Sequence, residues 1–124
     1  MTADFSFEQV DHVQLAIPAG GEVACRVFWG GLLGLAEVPK PPVLAPRGGC
    51  WFDGPGFQVH LGVEAGFRPA RKAHPGFRIR GIRALADRLA SAGYPVTWSD
   101  EVPGQDRFHT ADPFGNRLEF LAPH

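Results

Sequence analysis

Residues Arg107–Leu121 read RFHTADPFGNRLEFL, and the way this stretch is punctuated decides the fold. Phe108 and Thr110 are β-favouring residues at alternate positions. Beyond Asp112-Pro113-Phe114-Gly115-Asn116, Leu118 and Phe120 alternate with Arg117 and Glu119. The segment between is a turn with a physical cause, since Pro presets φ and Gly accepts φ > 0. The reading is strand, tight turn, strand. Side chains alternate across a strand, so Leu118 and Phe120 make one face apolar. The opposite face carries Arg107, His109, Arg117 and Glu119.

Working back from this hairpin, Pro95–Trp98 reads as a short strand. Ile82–Ala92 places Ile82, Leu85, Ala86 and Leu89 on one helical face and ends at Gly93. His74–Arg80 alternates, with Phe77 and Ile79 inward. Pro75 cannot donate to a ladder, which marks this strand as an edge. The first half repeats the order. Val10–Ile17 alternates Val13, Leu15 and Ile17 with His12, Gln14 and Ala16. Glu22–Leu33 is expected to be an amphipathic helix with Val23, Val27 and either Phe28 or Leu32 on its apolar face, stopped by Gly34. Leu35–Val38 is a short strand. Cys50–Asp53 and Phe57–Val63 form a hairpin in which Gln58, His60 and Gly62 share the polar face. Phe28, Trp29, Trp51 and Phe52 are assigned to the core or a dimer contact.

Each half therefore reads as strand, helix and three strands. The halves divide into a module over about 8–64, a polar and basic linker over 65–73, and a module over 74–122. His60 follows His12 by 48 positions and Glu119 follows His74 by 45. His12 and His74 stand on the first strand of each module, and His60 and Glu119 on the last. The expected class is α+β: one domain of two βαβββ modules forming cupped, mixed sheets.

With 124 residues, 12 Lys and Arg against 13 Asp and Glu, and a formal charge of −1, nothing points to nucleic acid or an anionic membrane. Cys25 and Cys50 lack CxxC spacing, and the N-terminal MTADFSFEQV has neither the basic nor the apolar part of a secretory signal. A cytoplasmic location is the expectation. Taken singly, each strand histidine is an ordinary surface or hydrogen-bonded residue. Taken together on inward polar faces, His12, His60, His74 and Glu119 form a donor set for a first-row transition ion such as Zn, Fe, Ni, Co or Mn. Gln14 and Gln58 share those faces and are candidate substrate contacts. Arg78 and Arg107 could hold a substrate carboxylate or phosphate.

The sequence resembles the vicinal oxygen chelate superfamily, which includes glyoxalase I, extradiol dioxygenases, and fosfomycin- and bleomycin-resistance proteins. VDHVQLAIP, FWGGLLGL, QVHLGV with AHPGFRI, and above all TADPFGNRLEFL carry the resemblance. It implies paired βαβββ modules, metal ligation by His12, His60, His74 and Glu119, and a homodimer whose sites take ligands from both chains. It also implies bidentate chelation of a small oxygen-rich substrate, with Glu119 as ligand or base. His109 matches a position facing the pocket in fosfomycin-resistance relatives, which suggests a proton donor or substrate contact. Glyoxalase I has a carboxylate where this chain has His60, so Glu119 is the sole acid–base carboxylate. An extradiol-like set would use His12, His74 and Glu119, with His60 either behind them or a fourth ligand that closes an open position. The implied activity is glyoxalase-like lyase or isomerase chemistry, or oxygenation. The alternative is a non-catalytic small-molecule binding or resistance protein of the same fold.

Overall fold

A computed structural model describes residues 4–124; Met1–Ala3, part of the stretch read for a signal, lie outside the described residues. Eight strands form two sheets. The first contains β1 (His12–Ile17), β2 (Ala36–Val38), β3 (Cys50–Gly54) and β4 (Phe57–Val63), in the order β1-β4-β3-β2. The second contains β5 (Gly76–Arg78), β6 (Thr97–Ser99), β7 (Gln105–Ala111) and β8 (Arg117–Pro123), in the matching order β5-β8-β7-β6. In each sheet the first strand runs parallel to the last and the other pairings are antiparallel. This is a pair of βαβββ modules with mixed sheets, as the repeat requires.

The apolar faces meet in one core. Leu15, Ile17, Phe52, Val59, Leu61, Phe108, Leu118 and Phe120 are all buried there. These are the inward members of each alternating strand, which is why period-two reading located them. The helix α2 (Ile82–Ser91) buries Ile82, Ala86 and Leu89, and Gly93 beyond it takes φ +90°.

The first helix departs from its expected phase. α1 (Glu22–Cys25) continues directly as a π-helical segment, Arg26–Leu32, in which Leu33 N–H donates to Phe28 O at 2.9 Å. Val23 and Val27 are 70% and 67% exposed, and the buried residues are Cys25, Phe28 and Trp29. Phe28 and Trp29 carry far more apolar area than the two valines, so the helix rotates to bury them.

Strand β5 is shorter than expected. Pro75 has no N–H, so His74 lies outside the strand, and Pro75 instead accepts from Glu119 N–H at 3.1 Å. β5 is an edge strand, as Pro75 predicts. Pro95 has the same effect on β6, which begins at Thr97 rather than Pro95.

The turn between β7 and β8 ties both modules together. Asp112 Oδ1 accepts from the backbone N–H of Phe114 and Asn116, both at 2.9 Å. The Asn116 amide donates to Ala16 O at 2.8 Å and to Asp112 Oδ2 at 2.9 Å. Its oxygen accepts from Ala70 N–H at 2.9 Å. One side chain thus joins β1, the segment leading to His74, and the turn leading to Glu119.

Candidate metal centre

The polar face of the second sheet is built by hairpin register. Residues equidistant from Phe114 face each other, which sets His109 opposite Glu119. On its other side Glu119 pairs with Gly76 of β5. A Cβ at Gly76 would lie 3.8 Å from Glu119 Oε2, so the glycine leaves the carboxylate's flank open. His74, two residues earlier, reaches back over that gap.

His74 Nε2 lies 3.0 Å from Glu119 Oε1, and His109 Nε2 lies 3.2 Å from the same oxygen. Arg107 Nη1 is 3.9 Å away, and its Nη2 donates to Ser99 Oγ at 3.1 Å. The Arg107 Nε is buried with no partner among the described residues. The Glu119 side chain is only 13% exposed. Burial alone would raise its pKa. The His74 hydrogen bond and the charges of Arg107, His109 and His74 outweigh that and hold it below the ordinary carboxylate range. Burial, then the charge of Arg117, pushes His109 below the usual imidazole value.

The tautomer of His74 is informative. Its Nδ1 lies 2.8 Å from Lys72 O, and a carbonyl can only accept, so Nδ1 carries hydrogen. In neutral His74 the Nε2 lone pair then faces a carboxylate oxygen. Two acceptors at 3.0 Å need a proton or a cation to hold them together. The donor set fits a metal. The ligand atoms of His74, His109 and Glu119 lie within 4.8 Å of one another. Ligands about 2.1 Å from one ion stand about 3 Å apart when adjacent. A second hydrogen bond that orients a ligating imidazole, as Lys72 O does, is the usual support of such a site.

His12 and His60 stand together on the polar face of the first sheet. The His60 ring is stacked between His12 (centroids 4.1 Å apart, 15° between planes) and Trp51 (3.8 Å, 2°). His60 Nε2 lies 2.9 Å from Gln58 Oε1, and His12 Nδ1 lies 2.9 Å from Asp11. Burial, then the neighbouring His12, lowers the His60 pKa. Gln14 lies over Gly62 and borders, with His74 and Asn116, a cleft of about 460 Å³ where β1 approaches the segment before β5. Arg78 is exposed and lines a different, apolar cavity.

The four sequence-derived donors thus fall into two pairs, one on each sheet. Among the described residues, the group brought within coordinating reach is His74, His109 and Glu119. Sequence reading gave His109 a catalytic role without seeing it as a coordination partner. Counting outward from Phe114 would have placed it opposite Glu119. Trp51 is neither core nor idle: it pairs with His60 across the β3–β4 ladder and faces the polar side. Its neighbours Cys50 and Phe52 are the buried ones, a signal legible in the alternation.

No protein-family model matches the chain, and no curated protein matches it. Solved structures do. A Bacillus anthracis protein placed in the glyoxalase family is 40% identical, with 98% of this chain and 100% of that one covered and a TM-score of 0.94. A glyoxalase/dioxygenase from Nostoc punctiforme is 20% identical over 100% and 97% of the two chains, with a TM-score of 0.79. An antibiotic binding protein from a Streptomyces species is 17% identical over 97% and 99%, with a TM-score of 0.75. The last two share the fold. The first is similar throughout its length, and with the DPFGN turn and the paired modules it assigns this chain to the glyoxalase family of the vicinal oxygen chelate superfamily.

Proposed function

We propose that the chain is a divalent-metal-dependent enzyme of glyoxalase or dioxygenase type that acts on a small, oxygen-rich molecule. The observation that carries this is the approach of His74 Nε2 and His109 Nε2 to one oxygen of Glu119, with His74 oriented from behind by Lys72 O. Two imidazoles and a carboxylate are a set used by first-row metals with positions left open for substrate. His74 and Glu119 are ligands in this reading. His12 and His60 complete the sphere across a homodimer, from the partner's first module, and His109 is the third ligand when they are absent. The bound ion supplies Lewis-acid stabilisation of charge developing on two neighbouring substrate oxygens.

The protein's own groups do the rest. Glu119, held ionised by its cationic neighbours, accepts a proton at a carboxylate oxygen. Where His12 and His60 supply the remaining ligands, His109, whose pKa burial lowers, can hold or return a proton at Nε2. Arg107, with Nη1 3.9 Å from Glu119, places its guanidinium charge beside the site for a substrate anion. Gln14 lines the adjoining cleft, and Gln58 holds His60 in place. Buried free thiols at Cys25 and Cys50 suit the reducing cytoplasm. Among the described residues no helix is long and apolar enough to cross a membrane.

The test is elemental analysis of untagged protein purified without chelator, followed by melting with added Zn²⁺, Ni²⁺, Mn²⁺ and Fe²⁺. Near one metal per chain, with melting raised by metal and lowered by chelator, is the expected result. Absence of both overturns the proposal. The second reading would then stand: a non-catalytic binding protein that holds a planar ligand on the Trp51–His60–His12 stack.

A further inference from the structure

A cavity of about 710 Å³ lies between the two modules, against the face that carries Phe77 and Phe120 and along the edge of β5, where Gly76 and Arg78 of the opposite face also border it. Well-packed interiors leave few voids larger than a water molecule, and pockets for small ligands have about this size. Its walls are aromatic. Phe77 is the centre, 5.4 Å from Phe57, 5.6 Å from Phe120 and 6.1 Å from Trp29, centroid to centroid. These four rings come from both modules, so neither module forms the space alone. At the N-terminal edge, Gln9 donates to Gly56 O at 3.3 Å and ties the chain's start to the β3–β4 turn.

The polar groups around it are few and of one sign. Among the described residues no acidic side chain lines it, and Arg78 is its one cation. Arg78 is exposed at the strand edge, and none of the ion pairs among the described residues includes it. Trp29 borders it, and its buried indole N–H has no acceptor among the described residues. Apolar walls with one cation at the rim complement a molecule with a hydrocarbon body and one negative head.

We propose that this cavity is a binding site for a small amphipathic monoanion, an aromatic carboxylate whose ring packs among Trp29, Phe57, Phe77 and Phe120 while its head pairs with Arg78. The site is separate from the His74–Glu119 centre and does not depend on metal. The three tryptophans report on three places. Trp29 borders the cavity, Trp51 stacks on His60, and Trp98 lines the cleft beside Arg83.

The experiment titrates naphthalene-2-carboxylate, and separately its neutral amide, into chelator-treated full-length protein while the indole N–H signals are followed by NMR. The signals are assigned from Trp→Phe variants. The expected result is saturable binding of the carboxylate that moves the Trp29 signal and leaves Trp51 and Trp98 in place. The amide binds about fivefold more weakly, the upper end for an exposed ion pair. Arg78→Ala, an exposed change that spares the fold, removes that difference and leaves amide binding intact. Leu85→Trp, filling the cavity, abolishes both. A response at Trp51 instead of Trp29, equal affinity for the two probes, or an unchanged preference in Arg78→Ala overturns the proposal. So does a cavity that takes no probe while Trp29 shifts on dilution, the sign that a second copy of the chain fills it. Metal loading is measured on the same samples, so failure here is distinct from failure of the metal centre.

Discussion

Replacing Asn116 by Ala should cost more than any other single polar substitution in the chain. The side chain is 1% exposed and makes three hydrogen bonds of 2.8–2.9 Å, two to backbone groups of distant segments and one to a buried carboxylate. Removing it leaves Ala16 O and Ala70 N–H without this partner and takes from Asp112 Oδ2 its side-chain donor. Two neutral bonds at about 1 kcal/mol each and one charge-assisted bond at about 1.5–3 kcal/mol sum to roughly 3–5 kcal/mol. That is a large share of the stability typical of a single domain, about 5–15 kcal/mol. The assay is equilibrium unfolding in urea with chelator present, so that metal linkage does not contribute, and with an unchanged m-value as the check on two-state behaviour. pH supplies a second readout. Burial raises the Asp112 pKa against the opposing hydrogen bonds from Asn116, Phe114 and Gly115. A carboxyl whose folded pKa exceeds its unfolded value favours the folded state when protonated. Its contribution is lost as pH rises from about 3.9 through the folded value. Removing the Asn116 donor raises the folded value further, so the cost of Asn116→Ala should be larger at pH 7 than near pH 4. A loss below about 1 kcal/mol, or one that does not change with pH, would refute the clamp.

Three further expectations follow from the site. Glu119→Gln should leave the metal-free protein folded but abolish turnover of any substrate found. It should also remove metal-dependent stabilisation, which for an intact site is about 2.7 kcal/mol at a hundredfold excess over Kd; a melting shift of wild-type size would exclude Glu119 as ligand. His74→Ala and His12→Ala should reduce metal affinity equally if the two modules contribute equivalent ligands, and competition with a chelating dye measures both. In metal-free protein, stability should fall as pH drops through about 6.5. Burial holds His60 and His109 below that value, so the unfolded chain binds their protons first. His109→Gln should flatten this dependence in urea melts at pH 5.5 and 7.5, and an unaltered slope would remove His109 as its source.

The sequence by itself determined the strands, their faces and the repeat. Those are consequences of local chemistry: alternation at Val13–Ile17 and Leu118–Phe120, Pro and Gly at the turns, and helical spacing from Ile82 to Leu89. Matching offsets in the two halves were enough to pair His12 with His74 and His60 with Glu119 by position. What periodicity could not give was phase where two faces compete. Val23 and Val27 share a face by spacing, yet Phe28 and Trp29 win the core because they bury more area. Nor could it give convergence. His109 and Glu119 meet because the turn at Phe114 sets the ladder register, and His74 joins them because Pro75 ends the edge strand and Gly76 leaves space over the carboxylate. Asn116 reaches a carbonyl 100 residues away, and four rings from two modules enclose a cavity that neither module has alone. Such contacts depend on how separate elements pack, a property of distance in space that no local pattern encodes. Counting outward from Phe114 reaches His109, but the tertiary structure alone decided that His74 joins it at Glu119.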